Sequence, residues 1–238
     1  MSVILSKNWL FNKKSICIFT DSSYTNINNA NTACPGYCIY WDDVLIEQGF
    51  DIKRDTSSQR GELYAILMGI YNSYKYRNYT IRLFSDSQTS IFAIRHRIFN
   101  WINKQNQGMN ILGEDGVIQN QDIIMDIIYT ILNNNIPIEL YHVKGHVKTY
   151  DPESIENAKR VFINSNVYGF SYDIDDSLIK CIINGNNQVD KYTGFMLEKY
   201  FLDPEYDKSR MIQAISPVSY GDFDVDKYKE LVRNKIFK

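Results

Sequence analysis

The chain has 238 residues, 44% hydrophobic and 23% charged, with a formal net charge of −2 and an isoelectric point near 5.9. That composition fits a soluble globular protein of one sizeable domain or two small ones. It excludes attraction of a polyanion by overall charge, leaving only local basic patches for that purpose. No apolar run reaches the length of a membrane span, and the N-terminal residues lack the apolar region of a signal peptide.

Residues 15–19 read as a central strand, short and continuously apolar, that runs abruptly into Thr20-Asp21-Ser22-Ser23. After the asparagine-rich stretch 26–31, residues 36–40 and 44–50 read as two further strands. Trp41-Asp42-Asp43 forms the turn between them, so the first three strands make an antiparallel meander. Ser57 to Glu62 leads into a helix whose Leu63, Ile66, Leu67, Ile70 and Tyr74 share one face. Residues 80–84 are a fourth strand ending in Ser85-Asp86-Ser87, followed by a helix over 87–101. Residues 120–132 repeat Ile123, Ile124, Ile127, Ile128 and Ile131 at helical spacing. Residues 138–143 are a fifth strand running into Lys144-Gly145-His146. Pro152 after Asp151 opens a helix over 152–164, 176–183 is a second helix, and 187–201 a third. The asparagines at 184–187 fall in a loop. The tail from Asp203 carries Phe223, Val225, Tyr228, Leu231, Val232 and Ile236 at the spacing of an amphipathic closing helix that packs on its own domain.

This order, three hairpin strands and then alternating helices and strands, is that of an α/β protein with a mixed five-stranded sheet. Three strands are antiparallel, two are parallel, and helices flank the sheet. The four cysteines are Cys17, Cys34, Cys38 and Cys181. Cys34 and Cys38 are close in sequence, but no second such pair and no paired histidine follows, so a zinc clip is rejected in favour of reduced thiols in a cytoplasmic protein.

Four acids occupy comparable places. Asp21 ends the first strand, Glu62 opens the first long helix, Asp86 ends the fourth strand and Asp190 lies early in the helix at 187–201. Taken singly, each has an ordinary explanation as a loop, cap or surface residue. Together, if the first and fourth strands are parallel neighbours, they gather carboxylates on one rim. Such a cluster repels itself unless cations lie within it. Oxygen ligands of this kind suit Mg²⁺ or Mn²⁺.

The segments IFTDSS, TSSQRGELYAI, RLFSDSQ, YHVKGH and NNQVDKYT, in that order, resemble the motifs of type 1 ribonuclease H. The resemblance covers roughly residues 15–146 and 187–201. It implies a ribonuclease H-like fold and an endoribonuclease that hydrolyses the RNA strand of RNA–DNA hybrids with two Mg²⁺ ions, Mn²⁺ substituting. By position Asp21, Glu62, Asp86 and Asp190 are the implied metal ligands and catalytic acids. His146 is the implied aid to proton transfer or product release. Ser22, Ser58, Gln59 and Gln88 are the implied minor-groove contacts that sense 2′-hydroxyls. The implied partner is an RNA–DNA hybrid duplex bound by a cytoplasmic monomer, with no membrane and no small-molecule cofactor.

The expected organisation is a domain over 1–202, with core 15–146 and 187–202 and an insertion at 147–186, then a helix-bearing C-terminal extension at 203–238. Ser22 replaces the glycine common in the family, and the insertion is longer than in relatives, which brings Asp173, Asp175 and Asp176 near Asp190 in sequence. The helical context of NNQVDKYT favours Asp190. The basic loop by which many relatives grip DNA is reduced here to Arg95, Arg97, Trp101 and Lys104, opposed by Glu114 and Asp115. Binding is therefore expected to be modest and salt-sensitive. The insertion, with Lys148, Lys159, Arg160 and Lys180, either compensates by touching the duplex or is a neutral lobe. Two competing readings remain at this stage: a metal-dependent DNA nuclease or resolvase of the same fold, and an inactive hybrid-binding module.

Overall fold

The computed structural model of the chain describes residues 3–11, 13–27, 30–97, 112–113, 116–117, 119–166 and 172–202. The predicted closing helix in the tail, and Trp101, Lys104, Glu114 and Asp115, lie outside the described residues. The elements in chain order are β1 (Val3–Leu5), α1 (Lys7–Leu10), β2 (Ser15–Ile27), β3 (Ala30–Trp41), β4 (Val44–Phe50), β5 (Lys53–Arg54), α2 (Ser58–Ser73), β6 (Thr80–Ser85), α3 (Gln88–Phe92), β7 (Leu112–Gly113), β8 (Gly116–Val117), α4 (Gln121–Asn133), β9 (Ile138–His142), α5 (Pro152–Asn166), β10 (Tyr172–Ile174) and α6 (Asp176–Leu202).

The five predicted strands form the sheet path β4-β3-β2-β6-β9, and β5 adds a short sixth strand beside β3. β2 pairs antiparallel with β3 and parallel with β6, and β6 pairs parallel with β9. Asp42 and Asp43 take positive φ values of 48° and 68°, the backbone a two-residue hairpin turn requires.

Ile16 to Phe19 of β2 are apolar without interruption because both faces of the strand are covered there. Ile16 and Ile18 join Leu63, Ile66, Ile70, Leu83 and Ile127 under α2 and α4. Cys17 and Phe19 point the other way, with Phe84, Leu178, Ile182 and Val189 under α6. An aromatic ladder crosses this second face. Phe19, Phe84, Tyr141 and Phe162 stack in series at centroid spacings of 4.9, 5.2 and 5.8 Å, linking β2, β6 and β9 to α5.

Several expectations are corrected. β2 does not end at Phe19: it continues to Ile27 because β3 pairs with it as far as Ile27↔Ala30. Tyr74 leaves the buried face of α2; it lies in a 3-10 turn at Tyr74–Tyr76 and is 42% exposed. The predicted helix over 87–101 is split, α3 giving way at Ala93 to a π-helical turn over Ala93–Arg97. The helices expected at 176–183 and 187–201 are one helix of 27 residues. Gly185 does not break it, because its bare Cα packs on the Phe19 ring. Arg95 is no part of a basic handle; it is buried and its guanidinium donates to Ser165 O and Asn166 Oδ1. No disulfide joins the four cysteines, and burial raises Cys17 and Cys38 to about 12, which keeps them as thiols.

Candidate active site

The parallel pairing of β2 with β6 stops at Thr20↔Ser85, while antiparallel pairing with β3 goes on through Asp21↔Gly36. Asp21 is therefore the first residue past the doubly paired stretch Ile16–Thr20, with a strand neighbour on one side only. It is still buried, and Asp86 is the first residue past the end of β6. Two adjacent parallel strands thus deliver two carboxylates to the same end of the sheet.

Glu62 arrives from α2. Ser57 caps that helix by accepting from the Arg60 N–H at 3.1 Å. Gly61 lets the first turn press on β2 and β3, since a Cβ there would overlap Ser22 Oγ and Ala33. The outcome is that Asp21, Glu62 and Asp86 each offer an oxygen within 4.8 Å of the other two.

The cluster is electrostatically strained as it stands. Burial, then the Asp86 charge, raises the Asp21 carboxyl from 3.8 to about 7, although the Ser22 N–H donates to Asp21 Oδ1 at 2.7 Å. Burial, then the charges of Asp21 and Asp86, holds Glu62 well above its usual range. Burial raises Asp86 too, partly offset by the Asn186 amide. Glu62 Oε2 is buried without a hydrogen-bond partner. A buried, orphaned carboxylate oxygen facing two more carboxylates is a donor set that fits a hard divalent cation.

Asp190 stands beside this trio on α6. Its charge is felt at Asp21 and Asp86, and its Oδ2 lies 3.4 Å from His146 Nδ1. His146 is 81% exposed and its φ is 53°, an uncommon backbone for a non-glycine residue. Gly145 before it has no room for a Cβ, which would overlap Asp86 Oδ2. The glycine and histidine of Lys144-Gly145-His146 therefore have separate geometric duties. One admits Asp86 and the other reaches Asp190.

Among the expected contact residues, Ser58 opens α2 and Gln88 opens α3, both exposed, and Gln59 is half-buried next to Ser58. Ser22 is buried against Gly61. Sequence reasoning overlooked Asn186. It is buried one turn before Asp190, its amide near enough to favour the charged form of Asp86 although neither of its polar atoms makes a hydrogen bond. Its spacing of four from Asp190 on one helix was the available signal.

A family model for RNase H matches residues 13–159, more than half of the chain and ending before α6. No curated protein matched. Among solved structures, a foamy viral protease–reverse transcriptase in complex with an RNA/DNA hybrid is 12% identical with a TM-score of 0.48, over 64% of this chain and 20% of that one. LC9-RNase H1, described as a type 1 RNase H with the type 2 active-site motif, is 11% identical with a TM-score of 0.47, over 66% of this chain and 75% of that one. RNase H1 from the halophilic archaeon Halobacterium salinarum NRC-1 is 14% identical with a TM-score of 0.35, over 63% and 96%. The chain thus spans about a fifth of the foamy viral protein.

Proposed function

The chain belongs to the ribonuclease H family, and from that premise we propose that it is a metal-dependent endonuclease hydrolysing the RNA strand of RNA–DNA hybrids. The observation that carries the reading is the cluster of buried Asp21 with half-buried Glu62 and Asp86, its oxygens within 4.8 Å and Glu62 Oε2 unpartnered. Asp21, Glu62 and Asp86, with Asp190 at the rim, are the residues that would hold Mg²⁺ or Mn²⁺. Bound in a pair, these ions supply an activated water and stabilise the leaving oxygen of a phosphodiester.

The chain's own residues do the rest. Asp21 is held within β2, Asp86 just past the end of β6 and Glu62 in a capped helix, so regular elements position all three donors. His146, exposed and within reach of Asp190, is placed to move a proton at Nδ1 between solvent and the carboxylate. Ser58, Gln59 and Gln88 are proposed to read the 2′-hydroxyls of the RNA strand across the minor groove; Ser22, whose hydroxyl is buried, is closed to that contact. We read residues 1–202 as the hydrolase domain, interrupted by an insertion at 147–186, and 203–238 as an extension. The test is incubation with an end-labelled RNA–DNA hybrid. Cleavage confined to the RNA strand supports the reading, and cutting of the DNA strand instead would turn it toward a DNA nuclease.

A further inference from the structure

We infer that Asn166, the last residue of α5, is a positioning residue for this site. Its carboxamide closes the free edge of β9 at His142 and so fixes the Lys144-Gly145-His146 segment that leans on Asp86. The inference rests on the hydrolase reading for its catalytic consequence, but not for its structural one.

β9 is the edge strand of the sheet, and pairing to β6 ends with Ser85↔His142. Val143 N donates back to Ser85 O at 3.0 Å, so the N–H and C=O of His142 itself face outward. The Asn166 side chain meets both. His142 N donates to Asn166 Oδ1 at 2.8 Å, and Asn166 Nδ2 donates to His142 O at 2.6 Å. One amide side chain thus makes the pair of bonds that another strand would make, at the point where an open edge would otherwise fray.

The clamp is itself held. Asn166 Nδ2 also donates to Phe162 O at 2.9 Å, and the Arg95 guanidinium donates to Asn166 Oδ1 at 3.1 Å and to Ser165 O at 3.0 Å. The His142 ring approaches Ser165 Oγ through Nδ1 at 2.9 Å. Phe162, one turn earlier, completes the aromatic ladder and anchors α5 to Tyr141. Arg95 is 4% exposed, and its two terminal nitrogens are spent on the end of α5.

Immediately beyond His142 comes the functional turn. Gly145 lies against Asp86, and His146, on an unfavourable backbone, brings its ring Nδ1 within 3.4 Å of Asp190 Oδ2. The far side of the turn is tied by Asn187 Nδ2, which donates to Val147 O at 3.0 Å. The turn is thus suspended between two asparagine amides, one from α5 and one from α6. A strained residue persists only where its surroundings fix it from several directions. Without Asn166, one of the two supports is gone.

The test compares the native chain with Asn166→Ala, Asn166→Asp and, on the exposed side of α5, Glu156→Gln. The Asp variant keeps the acceptor for His142 N–H and Arg95 but cannot donate to His142 O. Three quantities are measured: amide exchange over 143–147 and over 16–19, Mn²⁺ affinity by electron paramagnetic resonance, and kcat and KM on hybrid. Asn166→Ala is expected to weaken Mn²⁺ binding and lower kcat by about tenfold each, as loss of an outer partner of a metal site does. KM should stay within about twofold, and protection should fall at 143–147 but not at 16–19. Asn166→Asp should fall between, carrying the test if the Ala variant does not fold, and Glu156→Gln should match the native chain. Unchanged Mn²⁺ affinity and unchanged exchange at 143–147, or exchange rising equally at 16–19, overturns the inference. If the native chain cleaves no hybrid yet Asn166→Ala still loses Mn²⁺ affinity and local protection, the hydrolase reading fails and the positioning role stands.

Discussion

Asp21 occupies a place where a buried strand loses one neighbour, and its titration should report that position. Its folded pKa of about 7 lies above the ordinary 3.8, so the metal-free folded chain binds this proton more tightly than the unfolded chain does. The sign follows: this group's contribution to stability is present below about pH 4 and is lost as pH rises toward 7. In EDTA, Asp21→Asn should therefore melt higher than the native chain, with the gap widening from pH 4 to pH 7.5. A gap that is flat or narrows would show that Asp21 is not strained by burial and by Asp86. Asp21→Asn and Asp86→Asn are each expected to remove nearly all turnover, since each deletes a proposed ligand. Near-native turnover at saturating Mg²⁺ would exclude that role for the residue concerned. His146→Ala is expected to slow single-turnover cleavage by on the order of a hundredfold without abolishing it, the scale of general acid–base assistance. Complete loss in a folded variant would assign His146 a larger part.

α6 carries Asp190 and packs on the second face of the core, running unbroken through Gly185. A Cβ at that position would overlap the Phe19 ring. Gly185→Ala should cost about 1–3 kcal/mol of stability, the usual range for overpacking, read as a lower urea midpoint. A neutral or stabilising effect would mean that α6 can shift off β2. On the insertion side, Phe162 is 1% exposed at the end of the aromatic ladder. Phe162→Ala should destabilise by about 3–5 kcal/mol.

These same elements mark the reach of sequence reasoning. The ends of the parallel strands were legible because Asp21 and Asp86 each follow a mostly apolar run, and Glu62 because it directly precedes the helical repeat of Leu63, Ile66, Leu67 and Ile70. The outer half of β2 was not legible: Ser23-Tyr24-Thr25-Asn26 is polar, and it is a strand only because β3 runs beside it. The asparagines at 184–187 suggest a loop by local preference. Packing of Gly185 on Phe19 and burial of Asn186 override that preference. β1 was missed for a related reason, its three residues being held by parallel pairing with β10 far along the chain. Arg95 read as a basic-handle residue because nothing local shows that the end of α5 lies over it.

At the scale of the whole molecule, a net charge of −2 leaves little general attraction for a duplex. Some basic side chains are also engaged internally, Arg60 with Asp122 and Lys159 with Asp176. Hybrid binding should therefore be modest and salt-sensitive, with a slope set by few phosphate contacts at about 0.9 or less each in log–log terms. A steep slope would point to a basic surface outside the described residues. No described helix is long and apolar enough to cross a membrane. The most direct measurement is cleavage of four labelled duplexes, RNA–DNA, RNA–RNA, DNA–DNA and DNA with one embedded ribonucleotide, each with Mg²⁺ and with EDTA. The expected result is cutting of the RNA strand of the RNA–DNA hybrid with Mg²⁺ and none with EDTA. Undiminished cutting in EDTA, or no cutting of that hybrid with Mg²⁺ or Mn²⁺, would contradict the assignment of Asp21, Glu62 and Asp86 as the heart of a metal-dependent hybrid nuclease.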